Sequence, residues 1–357
     1  MVPIPFTTSY ACCRDGFRAI ADDVGVAIEP WPIPAPGPDG LALTIDVATL
    51  GERMPQRALV VMAGVHGVEG FACSPIMCDA LERWGDIPLD DGVGVILVHA
   101  INPWGMAWWR RQNESNVDLN RNWGVGAGHD ANPGYAELHG ALCPDGPTPP
   151  DPDEFLERTR AFVDEHGEDW VRAAVSDGQS THPDGLYYTG HQTEASTAAM
   201  ADIARAHLTN ADEIVVVDLH TGYGAYGDMT LLARHEPETP GDRWTRTVFA
   251  DVDVVNTARP GDSSRRGQIA GGLADVVPHA TFHAVTAELG TRSDITMILA
   301  ERAEHWVHRH GDRDDPEHAR ILEHHLRCST PDEAAWQAAA IEHGRRVLDQ
   351  ALAAVTD

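Results

Sequence analysis

Lysine is absent from this sequence of 357 residues, because all 26 of its basic residues are arginine. Aspartate and glutamate together number 55, so the formal net charge is −29. Nucleic acids and anionic membrane surfaces are bound through a basic electrostatic field, which a chain of this charge does not provide. The composition therefore argues against both as the main partner.

Long hydrophobic runs are also missing, since no window approaches the roughly 18 consecutive apolar residues of a membrane-spanning helix. The first residues lack the charged segment and apolar stretch that are typical of a secretory signal. Cysteine is sparse at six residues, and Cys12 and Cys13 are adjacent, which is unfavourable for ordinary disulfide bridging. A reducing cytoplasm is therefore the expected location.

Short runs rich in Val, Ile and Leu alternate with helical patterns along the chain. The runs that predict strands are 41–50, 58–63, 93–100, 214–219 and 282–287. Three of these runs are almost continuously apolar, as is typical of strands covered on both faces. The order predicts an α/β fold with a mixed, mostly parallel central sheet and helices on both faces.

Helix signals divide the rest of the chain. Ser74 and Pro75 predict the N-cap and first residue of a helix that ends near Gly85. Other predicted helices are 153–175, 194–208 and 331–354. In the last of these, Thr330 and Glu333 would form a capping box, with Pro331 as the first helical residue. The loop-like stretch 124–153 is the best candidate for an internal boundary. We nevertheless predict a single catalytic domain over 1–357, with a core of about 40–300 and a C-terminal helical segment of about 301–357, because candidate chemical residues lie on both sides of that loop.

Polar residues follow three of the predicted strands directly. His66 and Glu69 come after the second strand, His220 ends the fourth, and Glu288 ends the fifth. Ligand sites in open α/β sheets lie beyond the carboxyl ends of the strands, so these residues are expected to converge. Two histidines and one carboxylate form a common catalytic zinc set, and a second carboxylate beside it can move a proton.

The segment 102–123 adds an unusually polar stretch bounded by tryptophans. Its candidate residues are Arg110, Arg111, Asn120 and Arg121. A guanidinium group near a metal can bind a carboxylate or stabilise an oxyanion. On composition alone a structural loop, in which the arginines pair with Glu114 and Asp118, is an equal alternative.

Four motifs occur in an order that resembles the zinc carboxypeptidase superfamily. They are HGVE at 66–69, RQNESNVDLNRN at 111–122, DLHTG at 218–222 and AELGT at 287–291. The superfamily includes carboxypeptidase A-like peptidases and the succinylglutamate desuccinylase and aspartoacylase branch. With GQSTHPDGLYYTG at 178–190, the chain looks most like a bacterial carboxypeptidase-like branch of unassigned function.

The resemblance implies a role for each matching residue. His66, Glu69 and His220 would bind one zinc ion per chain, although the same ligands accept other divalent ions. Glu288 would act as general base and acid on a metal-activated water, and Arg111 would polarise the scissile carbonyl. Asn120 and Arg121 would bind a free carboxylate of a small-molecule or peptide substrate. The implied activity is hydrolysis of an amide or peptide bond next to that carboxylate, as in a metallocarboxypeptidase.

Two alternatives remain beside this function. One is an N-acyl amino acid deacylase of the aspartoacylase and desuccinylase type, and the other is a non-catalytic metal-containing binding protein. The presence of both Glu288 and Arg111 speaks against the second. The sequence does not choose between peptide and N-acyl amino acid, and it leaves the oligomeric state open.

Departures from the family pattern concern the substrate. No tyrosine stands between Met229 and Glu288, where the peptidases supply one. The remaining candidates for that position are Tyr187, Tyr188, Tyr223 and Tyr226. Arg265 and Arg266, in the segment 261–272, would select an acidic side chain or belong to a solvated loop. The histidines of the last third, His305, His308, His310, His318, His324 and His325, are expected on a solvated helical surface rather than at a second metal site.

Overall fold

The computed structural model describes residues 6–125, 132–257 and 267–356. Its eight described strands form one sheet in the order β1-β2-β4-β3-β5-β8-β6-β7. Their bounds are β1 Ile28–Ile33, β2 Leu43–Gly51, β3 Arg57–Ala63, β4 Val93–His99, β5 Glu213–Gly222, β6 Met229–Ala233, β7 Asp253–Asn256 and β8 Thr281–Gly290. The four strands β4, β3, β5 and β8 run parallel, whereas β1, β2 and β6 enter antiparallel pairs. The predicted mixed, mostly parallel sheet is therefore confirmed.

Helices cover both faces of the sheet. Those in the described part of the chain are α1 Tyr10–Asp23, α2 Gly70–Trp84, α3 Pro103–Ala107, α4 Pro133–Leu142, α5 Pro152–His166, α6 Glu168–Ser176, α7 Ala195–His207, α8 Pro240–Val248, α9 Ile269–Gly272, α10 Asp294–His310, α11 Pro316–Ser329 and α12 Ala334–Thr356. Alternate residues of the central strands point to opposite faces. One face packs with α2 and α12, and the other packs with α7 and α9.

Several predicted boundaries are wrong. The predicted helix 153–175 is divided into α5 and α6 at Gly167, whose φ of +90° an ordinary helix does not contain. The second helix begins at Gly70, so Pro75 lies inside it and gives up one backbone hydrogen bond. The predicted capping box is not formed, because the Glu333 carboxylate accepts from Arg292 and α12 begins only at Ala334.

The edge strands β1 and β7, the strand β6 next to β7, and several helices were not predicted from the sequence. The strand β1 contains Pro30 and Pro32, which are tolerated because β1 lies at the edge of the sheet. Within the described residues, no helix is both long and apolar enough to span a membrane.

The prediction of a solvated surface is wrong for two of the late histidines. His305 is buried between the Arg110 guanidinium and the main-chain carbonyl of Asp184. His325 is buried against the carbonyl of Trp109. Helical spacing alone did not show that α10 and α11 pack over the segment that carries the two arginines.

Candidate metal centre

A tight turn after β3 carries the first two candidate ligands. The 3-10 turn Gly67–Glu69 links β3 to α2 and separates His66 from Glu69 by one turn of backbone. Two amides of this turn form hydrogen bonds with the segment that carries the two arginines. The N–H groups of Gly67 and Val68 donate to the carbonyls of Arg111 and Arg110, respectively. A side chain at position 67 would lie 2.2 Å from the backbone of Gly105, so only glycine permits this approach.

The third ligand comes from the adjacent parallel strand. His220 is in β5, which pairs directly with β3. Its Nδ1 lies 3.0 Å from Glu69 Oε2, and His66 Nδ1 lies 2.8 Å from Glu69 Oε1. The donor atoms of these three buried residues lie within 4.8 Å of one another. The two imidazoles and the carboxylate thus face a common point.

The outer nitrogens of both imidazoles contact aspartates. His66 Nε2 lies 3.2 Å from Asp118 Oδ1, and His220 Nε2 lies 2.9 Å from Asp218 Oδ2. Such carboxylates fix the tautomer of a metal-binding histidine and leave its other nitrogen free for the metal. Both aspartates are fully buried. The arrangement fits the His₂Glu donor set of a catalytic zinc site.

Electrostatics also favour a cation at this point. Burial opposes charge on the His220 imidazole, but the carboxylates of Asp218 and Glu69 raise its pKa well above the usual value. Burial likewise opposes charge on Glu69, yet the two histidines lower the pKa of its carboxyl. The same carboxylates that favour a proton on His220 would favour a divalent cation at this point. Metal binding would therefore release protons.

Glu288 lies beside this donor set. Its strand β8 pairs with β5 so that Glu288 is opposite His220. The backbone N–H of Tyr223 donates to Glu288 Oε2 at 3.5 Å. Burial raises the pKa of the Glu288 carboxyl, and the charge of His220 partly opposes that shift. Because the side chain remains partly exposed, Glu288 can reach a bound substrate and carry a proton.

One of the two adjacent arginines faces the ligands. Arg111 Nη1 lies 3.4 Å from Glu69 Oε1, and Nη2 lies 3.2 Å from Asp118 Oδ2. Arg110 extends in another direction and donates to Glu304 at 2.8 Å in a fully buried pair. The alternative of a structural loop expected the arginines to pair with Glu114 and Asp118. Arg111 does pair with Asp118, but it also contacts the candidate ligand Glu69, whereas Arg110 pairs with Glu304 instead.

Comparison with protein families gives one extensive match. The model of a family described as a protein of unknown function, DUF2817, matches residues 6–343. The chain belongs to the DUF2817 family. Its sequence has no significant match among curated proteins.

Solved structures similar to this DUF2817 chain include carboxypeptidase A from Helicoverpa armigera, with a TM-score of 0.51 and 13 % identity over 97 % of this chain and 74 % of that one. Bovine thrombin-activatable fibrinolysis inhibitor has a TM-score of 0.48 and 10 % identity over 94 % and 97 %. An aspartoacylase family protein from Mesorhizobium loti has a TM-score of 0.40 and 14 % identity over 79 % and 66 %. At these low identities the similarity concerns the fold alone. That similarity is judged from carboxypeptidase A, because it has the highest TM-score of the three structures. The chain has a carboxypeptidase A-like fold, as its motifs predict.

Asn120 and Arg121 follow Asp118 on the short 3-10 turn Leu119–Arg121 of the DUF2817 chain. The Asn120 side chain accepts a hydrogen bond from the amide of Ile269. The Arg121 guanidinium donates to the main-chain carbonyls of Ser176 and Asn120. These bonds hold both side chains against main-chain groups, and it is the backbone amide of Asn120 that donates to Asp118 Oδ1, at 2.9 Å.

The candidate tyrosines have different surroundings. Tyr187 is buried, and its hydroxyl donates to Glu301 at 2.9 Å. Tyr188 is also buried, whereas Tyr223 and Tyr226 are exposed on the loop after β5. Arg265 and Arg266 lie outside the described residues.

The sequence predictions did not include Asp218 or Glu301, and they treated Asp118 only as an arginine partner. A local signal existed for Asp218, because residues two apart on a strand share a face and it precedes His220 by two. Glu301 lies on α10, and nothing near it in the sequence indicates that it contacts Arg111.

Proposed function

We propose that this chain is a zinc-dependent hydrolase that cleaves an amide or peptide bond next to a free carboxylate. The observation that carries the proposal is the convergence of His66 Nδ1, His220 Nδ1 and the Glu69 carboxylate, with a carboxylate behind each imidazole. The fold is compatible with this chemistry, because a related arrangement of strands is found in carboxypeptidase A.

Glu288 is the proposed proton carrier. When bound, zinc supplies a water of lowered pKa and a Lewis acid for the substrate carbonyl. Glu288 takes the proton of the attacking water and returns it to the leaving amine. Burial raises the pKa of the Glu288 carboxyl, which is the direction required of a carboxylate that must donate a proton as well as accept one.

Arg111 is the proposed donor to the developing oxyanion. Its side chain is 15 % exposed, which allows the guanidinium to contact a substrate while it remains held by Asp118 and Glu69. A donor fixed in advance stabilises charge in the transition state without reorganising at that moment. Asn120 and Arg121 are the proposed contacts for the free carboxylate, since they lie on the turn that follows Asp118.

The proposed substrate is a peptide or a small molecule, and the proposed location is the cytoplasm. The net charge of −29 disfavours nucleic acid and anionic membranes. All six cysteines are free thiols, in keeping with a reducing location.

Metal content is the first test. Purified protein is expected to hold about one zinc per chain by elemental analysis, and the His66→Ala, His220→Ala double variant is expected to hold none. Equal metal in the double variant, or none in the native protein, would contradict the proposed site.

Hydrolysis is the second test, with Glu288→Gln as the variant. This change should retain zinc and lower the hydrolytic rate by about 10²–10⁴-fold, as is usual for a lost general base. The assay compares peptides with free C-termini, the same peptides amidated, and N-acyl amino acids. Preference for N-acyl amino acids would establish the deacylase alternative, and zinc binding without any turnover would favour the binding protein.

The free-carboxylate proposal is tested with Arg121→Ala. This variant should lose far more activity on peptides with a free C-terminus than on amidated ones. An equal loss on both would remove the argument for an exo-acting enzyme.

A further inference from the structure

Glu301 on α10 shares one nitrogen of Arg111 with a candidate metal ligand. Arg111 Nη1 lies 3.8 Å from Glu301 Oε1 and 3.4 Å from Glu69 Oε1. The other terminal nitrogen contacts Asp118, which supports His66. The Arg111 guanidinium therefore lies between two parts of the metal centre and a carboxylate that is more than 230 residues from Glu69 in the sequence.

Tyr187 holds Glu301 from the opposite side. Its hydroxyl donates to Glu301 Oε2 at 2.9 Å, and its ring lies 5.7 Å from the Arg111 guanidinium carbon. Tyr187 has a φ of +57°, a left-handed conformation that is uncommon for a bulky residue. The surrounding backbone fixes this conformation, because Gln179 donates to the carbonyl of Tyr187 and Asp118 donates to that of Tyr188.

We propose that Glu301 and Tyr187 are positioning residues that limit how closely the Arg111 guanidinium approaches Glu69 Oε1. The inference rests on the proposed function, since it gives Arg111 a task at a metal site. Glu301 competes with Glu69 for the same nitrogen, and Tyr187 fixes the orientation of the competing carboxylate.

The competition has a definite consequence for the metal. In a buried site of low dielectric constant, a guanidinium strongly attracts a carboxylate within reach. Without the charge of Glu301, the anionic partners that Arg111 keeps among the described residues are Asp118 and Glu69. The guanidinium would then bind Glu69 Oε1 more tightly, and that oxygen would be less available to a metal ion.

An ordinary structural ion pair is the competing explanation, and the same helix supplies a matched control. Glu304 lies one turn after Glu301 on α10 and pairs with Arg110, the residue preceding Arg111. This pair is fully buried at 2.8 Å and is directed away from the candidate ligands. Removing its charge should disturb folding at least as much as removing that of Glu301.

The experiment measures zinc affinity of the full chain by competition with a chromophoric chelator. Glu301→Gln is expected to weaken zinc binding by about tenfold, the lower end for groups that orient metal ligands. Tyr187→Phe should give a smaller loss, because the charge remains and only its orientation is released. Glu304→Gln should leave zinc affinity unchanged even where its melting temperature falls.

A double-mutant cycle shows whether the effect passes through Arg111. In an Arg111→Gln background, Glu301→Gln should change zinc affinity by less than about twofold, because the competing guanidinium is gone. An undiminished loss in that background would overturn the inference, as it would indicate a direct effect of the Glu301 charge. Native affinity in Glu301→Gln, or an equal loss in Glu304→Gln, would also overturn it.

These outcomes separate the inference from the proposed function. A native chain that binds no zinc at its His66 and His220 ligands overturns both. A native chain that binds zinc there, with Glu301→Gln unaltered, overturns the positioning role alone.

Discussion

His99, at the end of β4, should make the stability of the protein depend on pH. The imidazole is buried and stacks on Phe17 with ring centroids 4.8 Å apart. Its Nε2 lies 2.8 Å from the hydroxyl of Ser74. Burial lowers the pKa of His99 to about 4, and Asp46 on the neighbouring strand only partly offsets this effect.

The size of the effect follows from that pKa. An unfolded histidine titrates near 6.5, so the unfolded chain takes up its proton before the folded one as the pH falls. The free energy of unfolding is then fully retained above about pH 6.5 and decreases toward pH 4. A difference of about 2.5 pKa units corresponds to about 3 kcal/mol, with a slope of at most about 1.4 kcal/mol per pH unit.

The assay is urea denaturation at pH values from 4 to 7.5, in the native protein and in His99→Gln. Between pH 4 and 6.5, the free energy of unfolding of the variant should change less steeply with pH than that of the native protein. The difference in slope should correspond to about one proton, whatever the absolute stability of the variant. The native protein and the variant must be compared, because burial also lowers the pKa of His283 and His325 to about 4. Those two residues contribute to the pH dependence of both proteins, so only the difference between the two slopes reports on His99. The exposed His279→Gln is the control and should retain the native slope. Identical slopes in His99→Gln and the native protein would refute the reasoning.

Three further substitutions address the metal centre and the packing and propensity of helices. Asp218→Asn should weaken zinc binding by about 10–100-fold in chelator competition, because the Nε2 of His220 loses its carboxylate; native affinity would contradict this role. Gly344→Ala should cost about 1–3 kcal/mol in urea denaturation, since its Cβ would lie 2.5 Å from Ile76 on α2. Gly16→Ala in α1 meets open space and should stabilise by about 0.5–1 kcal/mol, so destabilisation there would contradict the packing argument.

The sequence was sufficient to predict the architecture at the centre of the sheet. Strands β3, β4 and β5 are almost continuously apolar because helices cover both their faces, and that pattern is visible without a structure. Edge strands were missed because they are short and half-exposed, so no such pattern marks them. The break at Gly167 was missed because a single glycine within a helical pattern does not reveal its φ.

The candidate ligands could be predicted for a related reason. His66, Glu69, His220 and Glu288 each follow an apolar strand, and the carboxyl ends of parallel strands meet at one edge of a sheet. The position of each residue directly after a strand was therefore enough to predict that the four side chains converge. The four motifs narrowed that expectation to one superfamily, and the fold agrees with it.

The sequence by itself thus determined the core strands, the helical layers and the residues at the strand ends, because these depend on local periodicity. Only the tertiary structure decided which groups surround those residues. Glu301 reaches Arg111 from α10, and His305 and His325 become buried where α10 and α11 cover the same segment. Such contacts join residues far apart in the chain, and helical spacing reports the face of a helix but not the element against which that face packs.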